Sequence, residues 1–318
     1  MDRVVSLGSI NVDHVRQVTD AELTAFSERY DWFPARGHTA QVETLPDDLA
    51  ADADEVHHGG KGANQAVAAA AADATTTMLG KVGTDHDRFG VLPTLTDAGV
   101  GVGRVGVADV PTGSAYVFVE PSGDNRIVVR PGANATVDDA YVRAQYDAVR
   151  DADCLLLQNE IPVDPAAGLL HDVADDPTRP TVILDPAPPA GVDPLLACEA
   201  VDYLTPNEHE YAALDGALDD FDGVVVRKRG GDAVIVETPD GQFTVDPPSV
   251  DPVDTTGAGD VLNGFLAARL AAGASLRDAV ETAVVAGAMS TRTAGARRGI
   301  PTLDEVRRQE DLSAAVAH

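Results

Sequence analysis

Two textures of apolar and polar positions run along the chain. From about residue 138 onward, short apolar runs alternate with helical stretches. The runs are Cys154-Leu155-Leu156-Leu157, Thr181-Val182-Ile183-Leu184, Asp202-Tyr203-Leu204 and Val224-Val225-Val226. Such strands, buried on both faces and separated by helices, predict a mostly parallel sheet. Residues 3–10 predict another strand, followed by an Ala-rich helix at 63–72 and a strand at 75–82. The second texture is strict alternation, as in Ser114-Ala115-Tyr116-Val117-Phe118-Val119 and Ile127-Val128-Val129. Alternation marks half-exposed strands. Residues 14–58 have no sustained period, although Thr39-Ala40-Gln41-Val42-Glu43 reads as extended. The regions of about 14–58 and 100–130 together predict a small β-rich subdomain within a single domain spanning 1–318. No internal repeat is visible.

Ligands of parallel sheets sit beyond the carboxyl ends of the strands. Gln158-Asn159-Glu160, Asp185-Pro186 and Pro206-Asn207-Glu208 fall at such ends. Each is as compatible with a turn or helix cap as with ligand contact. The segment Asp254-Thr255-Thr256-Gly257-Ala258-Gly259-Asp260 opens a helical stretch that stops near Gly273. Glycines there let several amides point at one spot, where the helix dipole also favours an anion. A carboxylate repels a phosphate, so Asp260 is misplaced in a pure phosphate cradle. It suits a base that takes the proton of an attacking hydroxyl. Local chemistry alone leaves catalysis and a helix cap equally open.

A second glycine loop, Gly59-Gly60-Lys61-Gly62-Ala63-Asn64, also precedes a helix. No Ser or Thr follows its lysine, and the glycine spacing matches neither a P-loop nor a dinucleotide fingerprint. It could let a polyol approach the backbone, with Asn64 supplying directed hydrogen bonds, or it could simply start a helix. Asn11 and Asp13, just after the first strand, could grip hydroxyls or form a plain turn.

Charge changes the picture most. The 318 residues include 52 acidic and 23 basic side chains, a formal net charge of −29. The only lysines are Lys61, Lys81 and Lys228. Such a surface repels nucleic acid and anionic membranes, so neither is an expected partner. Because the acids are dispersed among clear structural elements, an acidic disordered protein is the weaker reading. A folded protein from a very salty cytoplasm is the expectation, with dense ions screening self-repulsion. No apolar stretch approaches the roughly 20 residues that span a bilayer. The first residues lack a signal-peptide layout, which points to the cytoplasm. Cys154 and Cys198 sit among apolar residues and read as reduced core thiols.

Taken together, these segments resemble the ribokinase branch of the PfkB carbohydrate-kinase family, nearly end to end. The resemblance rests on Gly8-Ser9-Ile10-Asn11-Val12-Asp13, Gly59-Gly60-Lys61-Gly62-Ala63-Asn64-Gln65-Ala66, Gln158-Asn159-Glu160, Asp185-Pro186-Ala187-Pro188, Thr205-Pro206-Asn207-Glu208 and Asp254 to Asp260. It implies a three-layer α/β/α sandwich around a mostly parallel sheet, with a small β lid over the sugar. Sugar contacts would be Asn11, Asp13, Gly60, Lys61, Gly62, Asn64 and Glu160. Asp260 would be the base, and the amides of Gly257, Ala258 and Gly259 the anion hole. Asn207 and Glu208 would order magnesium and phosphate, as a version of an Asn-x-x-Glu region with its members adjacent, and Asp185 would be among the cofactor-binding residues. ATP would lie along Lys228 to Ala233, including Gly230 and Gly231, and the loop after the final helix. A potassium-type monovalent cation would sit at Asp254, Thr256, Ser290, Thr293, Gly295 and Gly299. A homodimer joined through the lids is also implied.

The resemblance has departures. Lys228-Arg229-Gly230 stands where ribokinases often carry Thr-Leu-Gly, and Asp185 where many have Asn. Residues 14–58 are longer than a typical lid and hold Arg36, His38, His57 and His58. These could form a solvated surface, or could serve an acceptor already carrying a phosphate, with Arg126 or Arg130 as helpers. His57-His58 lacks the clustered third ligand of a metal site. The expected activity is ATP-dependent phosphoryl transfer to a pentose or pentose phosphate such as ribose or ribose 1-phosphate. A nucleoside or hexose acceptor is the alternative within the class. A non-catalytic sugar- or nucleotide-sensing protein is the alternative outside it.

Overall fold

The computed structural model describes residues 2–50, 53–214, 216–218 and 221–316. Its centre is a nine-stranded sheet. From one edge to the other the strands are Gly241–Val245, Val234–Thr238, Val224–Arg227, Val201–Leu204, Thr181–Asp185, Cys154–Gln158, Arg3–Leu7, Thr75–Leu79 and Val100–Gly101. All neighbours are parallel except the two pairings made by Val234–Thr238, which are antiparallel. The uninterrupted apolar runs follow from burial on both sides. In the strand Cys154–Gln158, Cys154 and Leu156 enter the core under one helical layer, and Leu155 and Leu157 the core under the other. This is the α/β architecture expected from the alternation of apolar strands and helices.

Two glycine-led helices define the working end. Lys61–Ala71 and Ala258–Ala271 lie side by side over the first core. Gly264 permits that approach, since a Cβ there would be 2.5 Å from Ala68 Cβ and 2.6 Å from the Gln65 carbonyl. Leu276–Ser290 packs on the other flank of Ala258–Ala271. This explains why the latter helix is buried over most of its length instead of along one stripe.

The lid is a five-stranded sheet in the order Thr39–Gln41, Asn125–Arg130, Gly113–Val119, Asn11–Gln17 and Glu55–Gly59. Its boundaries differ from the sequence expectation. The lid starts at Asn11, directly after the first central strand. Residues 100–112 lie outside it: Val100–Gly101 edges the central sheet, and Gly106–Ala108 pairs with Lys81–Gly83. Short extended pieces carry no local record of their partner, so alternation alone could not sort them. The strand expected over 75–82 divides at Gly80 for the same reason, each half pairing in a different sheet.

Within 14–58 the chain forms a helix, Asp20–Arg29, that the sequence reading lacked. Thr19 and Glu22 close a capping box at its start. Leu23 and Phe26 pack with Phe33 and Phe118 into a lid core of their own. Cys154 and Cys198 are free and buried. Among the described residues no helix is long and apolar enough to cross a membrane.

Candidate active site

Asp260 is in the first turn of Ala258–Ala271 and is 5% exposed. Two side-chain amides aim its carboxylate: Asn64 Nδ2 donates to Oδ2 at 3.0 Å and Gln65 Nε2 to Oδ1 at 3.0 Å. Those amides are held in turn. Arg297 Nε donates to Asn64 Oδ1 at 2.7 Å, and Gln158 Nε2 to Gln65 Oε1 at 2.6 Å. Gly257, the N-cap, is left-handed at φ 79° and offers no capping side chain. The Ala258 amide turns back to the Thr255 carbonyl at 3.2 Å. The amides of Gly257 and Gly259 have no acceptor among the described residues. The helix start therefore presents free donors beside a rigidly held carboxylate, as an in-line phosphoryl transfer requires.

The lid-side wall is built on close backbone approach. Gly60 is left-handed at φ 86°, and a Cβ on it would lie 2.7 Å from the Ser9 carbonyl. Gly62 packs equally tightly on Gly8. A Cβ on Gly59 would strike the Asp13 carboxylate, which lies across it. Asn11 Oδ1 accepts from Asn134 Nδ2 at 2.7 Å, and Asn134 Oδ1 accepts from the Ile10 amide at 3.0 Å. Glu160 accepts from the Ser9 hydroxyl and from the Lys61 amide at 3.2 Å. Asn11, Asp13, Gly60, Lys61, Gly62, Asn64 and Glu160 thus gather around Asp260.

Burial shapes the charges of this wall. Burial pushes Asp13 up to about 7, with Glu160 and Asp260 adding to the rise and Arg297 opposing it. It raises Glu160 as well, against the pull of Lys61. Burial lowers Arg297 to about 10, although Asp13 and Asp260 favour its charge. For Lys61 the desolvation that would lower it is outweighed by Asp260, Asp185, Glu160 and Glu210. It stays above the ordinary lysine range.

On the opposite wall, Asp185 is 2% exposed at the end of its strand. Its Oδ2 accepts from Gln65 Nε2 at 3.1 Å and Asn263 Nδ2 at 2.9 Å. Oδ1 has no hydrogen bond, but lies 3.6 Å from Lys228 Nζ. Lys228 also reaches the helix start: a Cβ on Gly259 would be 3.3 Å from its Nζ. Two of the departures from the ribokinase pattern, Asp185 and Lys228, are therefore each other's partner. Gly230 and Gly231 are exposed in the turn that follows.

Glu208 is placed differently from the expectation. It is exposed and pairs with Arg227 at 2.9 Å and Arg229 at 3.0 Å. Glu210 is the buried acid, three residues after the N-cap Asn207, with which it forms a capping box. Burial raises its pKa, Asp185 adds to the rise, and Lys228 opposes it. The Asn-x-x-Glu spacing is intact as Asn207 and Glu210, and counting three residues on from Asn207 would have found it. Arg297, Gln65, Gln158, Asn134 and Asn263 were also not singled out as site residues. Gln65 and Gln158 lie within segments that carry the family resemblance, whereas Arg297, Asn134 and Asn263 are isolated polar residues with no signal until the fold brings them to the site.

The residues matched to a cation also converge. Asp254 accepts from the amides of Thr256 at 2.9 Å and Gly295 at 2.8 Å. Burial would raise its pKa, but those bonds hold it below the usual carboxylate range. A Cβ on Gly299 would lie 2.2 Å from the Ser290 carbonyl, which also receives the Thr293 amide at 3.4 Å. One carboxylate with nearby backbone oxygens fits a weakly hydrated, singly charged cation. Among the described residues no three His, Cys, Asp or Glu side chains form a metal cage. Magnesium held mainly by phosphates needs only one or two carboxylates, so Asp185 and Glu210 fit it.

The basic lid residues do not assemble at Asp260. Arg36 and Arg126 pair with buried Glu120 at 2.7 and 2.8 Å. Strand register puts Arg126, Arg130 and His58 on the face opposite Asn11 and Asp13. His58 bonds the Phe89 carbonyl at 2.8 Å, and His38 the Arg36 carbonyl at 2.8 Å. His57 shares the Asp13 face and pairs with Glu55 at 2.9 Å.

Comparison with known proteins identifies the family and the fold. The family model described as "pfkB family carbohydrate kinase" matches residues 37–303. The ribokinase of Lactococcus lactis is 32% identical over 319 residues, covering 96% of this chain and 96% of its own length. The crystal structure of Thermotoga maritima ribokinase superposes with a TM-score of 0.79 at 29% identity, covering 97% of this chain and 99% of that one. Arabidopsis thaliana ribokinase, solved with ribose and ATP, gives a TM-score of 0.74 at 26% identity over 96% of this chain and 97% of its own.

Proposed function

The chain belongs to the pfkB family of carbohydrate kinases, and from that premise we propose that it transfers the terminal phosphoryl group of ATP to a hydroxyl of free ribose or a closely related pentose. The observation that carries the reading is Asp260, held by Asn64 and Gln65 beside the unpaired amides of Gly257 and Gly259. Ribose and ATP, named together in the Arabidopsis structure, support the substrate pair. The pairing of Arg36 and Arg126 with Glu120 favours a free pentose over a pentose phosphate.

Asn11, Asp13, Lys61, Asn64 and Glu160 would orient the sugar hydroxyls. Asp260 would take the proton of the attacking hydroxyl as its oxygen bonds to phosphorus. The bond from phosphorus to the bridging oxygen breaks, and the amides of Gly257 and Gly259 face the charge on the transferred group. Lys228, Gly230 and Gly231 would line the nucleotide. Magnesium, when bound, supplies charge neutralisation at the phosphates, with Asp185, Asn207 and Glu210 the residues placed to hold it or its waters. Potassium would occupy the loop of Asp254, Thr256, Ser290, Thr293, Gly295 and Gly299, stiffening the segment that carries Gly257.

The same reading extends to assembly and setting. The Asp13 face of the lid carries half-buried Val15, Ala115, Val117, Ile127 and Val129, which favours a homodimer through the lids. Sedimentation of Val117→Asp as a monomer, beside a dimeric parent, would support it. A cytoplasm rich in potassium is the proposed setting.

Asp260→Asn tests the function. Turnover should fall by about 10²–10⁴ or more with the melting temperature kept. Substantial residual kcat would overturn the assignment of the base. ADP release with ribose, ribose 1-phosphate, fructose and nucleosides tests the acceptor. A preference for a nucleoside or hexose would move it, and tight binding with no ADP formed would indicate a sensor.

A further inference from the structure

A second cavity lies behind the lid sheet, on the side away from Asp13. Strand register puts Val12, His14, Ser114, Tyr116 and Arg130 on that face, with Asn11, Asp13 and Ala115 on the other. The face meets the short helix His86–Phe89 of the body across about 410 Å³. That volume suits a small metabolite.

The protein leaves polar groups unsatisfied there. Ser114 is 1% exposed, and its Oγ has no hydrogen-bond partner. Arg130 Nε is likewise buried and unpaired. Among the described residues neither Arg130 nor Arg88 has an acidic partner, although the Arg88 guanidinium lies over the Phe89 ring. Asp85, the carboxylate of this cavity, accepts from the Thr112 amide at 2.7 Å and hydroxyl at 2.6 Å. His14 stacks on Tyr116 with ring centroids 4.7 Å apart. Burial, Arg130 and Arg88 hold its imidazole below the ordinary range against the opposing pull of Asp85.

Among the described residues only about half of the arginines pair with a carboxylate, as Arg16, Arg29, Arg36, Arg126 and Arg179 do. Convergence on one cavity, and not the lack of a partner alone, therefore distinguishes Arg88 and Arg130. Arg88 and Arg130, without an acidic partner among the described residues, meet at this cavity beside a buried free hydroxyl and form a donor set for an oxyanion of several oxygens. We propose that the cavity binds a phosphoryl-bearing small anion, clasped by Arg130 and Ser114 of the lid and Arg88 of the body. Such a ligand bridges lid and body. If it binds one lid position better than another, linkage makes it an effector of acceptor affinity.

The test is calorimetric titration with inorganic phosphate and, separately, ribose 5-phosphate. The nucleotide site is first saturated with a non-hydrolysable ATP analogue and magnesium, so that the Gly257 amides are occupied. Binding to the parent protein is expected, weakened about tenfold or more in Arg88→Gln and in Arg130→Gln. Arg88 is exposed, so its variant carries the test if Arg130→Gln fails to fold. Tighter binding of the ester assigns its organic part to the His14–Tyr116 face. Equal or weaker binding assigns the cavity to free phosphate. No binding by the parent, or unchanged affinity in Arg88→Gln, overturns the proposal.

Discussion

Asp185 and Lys228 show how single residues compensate one another at this site. A buried carboxylate 3.6 Å from an ammonium is tolerable, whereas one stranded without it is costly. Lys228→Thr should therefore destabilise the protein by about 3–5 kcal/mol, and adding Asp185→Asn should recover most of that. Denaturant unfolding of the two single variants and the double variant measures the coupling, and simple additivity would disprove it. Asp13 makes a prediction about pH. Its folded pKa, raised by burial to about 7, exceeds the unfolded carboxylate value of 3.8. The folded protein therefore holds a proton that the unfolded chain has released, and this contribution to stability is full below about 4 and lost as pH rises through about 7. The carboxylate proposed to accept sugar hydroxyls forms over the upper part of that window. The KM for the acceptor should fall as pH rises through about 7, and Asp13→Asn should flatten the profile.

At the scale of elements, two helices that begin at glycines bring distant segments to one point. Gly257 combines a left-handed φ with a Cβ position 2.9 Å from Ala296. Gly257→Ala should shift the helix start and lower kcat at least tenfold, with a loss of about 1–3 kcal/mol of stability. Comparing kcat with unfolding free energy separates the two effects. The lid has its own small core, so Phe118→Ala should loosen it locally, by about 3–5 kcal/mol for the lost packing. Hydrogen exchange confined to residues 11–59 and 113–130 would show this. The parallel strands and glycine loops were legible because burial on two faces and left-handed turns leave marks in composition. The helix Asp20–Arg29 was harder, because it buries only Leu23 and Phe26. Its clearest mark was the Thr19–Glu22 capping box. Glu210 was overlooked because an adjacent glutamate follows Asn207, although only the residue three positions on turns inward.

For the whole molecule, charge is the dominant fact. A formal charge of −29 on 318 residues repels itself unless screened. The screening length falls from about 10 Å at 0.1 M salt to about 3 Å at 1 M. We propose that the fold needs concentrated salt. The melting temperature should rise between about 0.1 and 2 M KCl, and an equally stable and active enzyme at low salt would refute the idea. Replacing potassium with tetramethylammonium at constant ionic strength separates screening from a specific cation at Asp254. Loss of kcat without loss of stability would mark the specific site.

The amino-acid sequence by itself determined the layered α/β plan, the two glycine loops and the acidic surface, which follow from properties that neighbouring residues express together: continuous apolarity, turn chemistry and net charge. Asp260 became the candidate base through the family resemblance, because its local chemistry suits a helix cap equally well. Tertiary structure alone decided which extended pieces pair into the lid and which of two adjacent glutamates is buried. It also joined Asp185 to Lys228, tied Arg36 and Arg126 to Glu120, and brought Arg88 and Arg130 to one cavity behind the lid. Those outcomes depend on distance between residues far apart in the chain, and burial then sets the cost of leaving a charge unpaired.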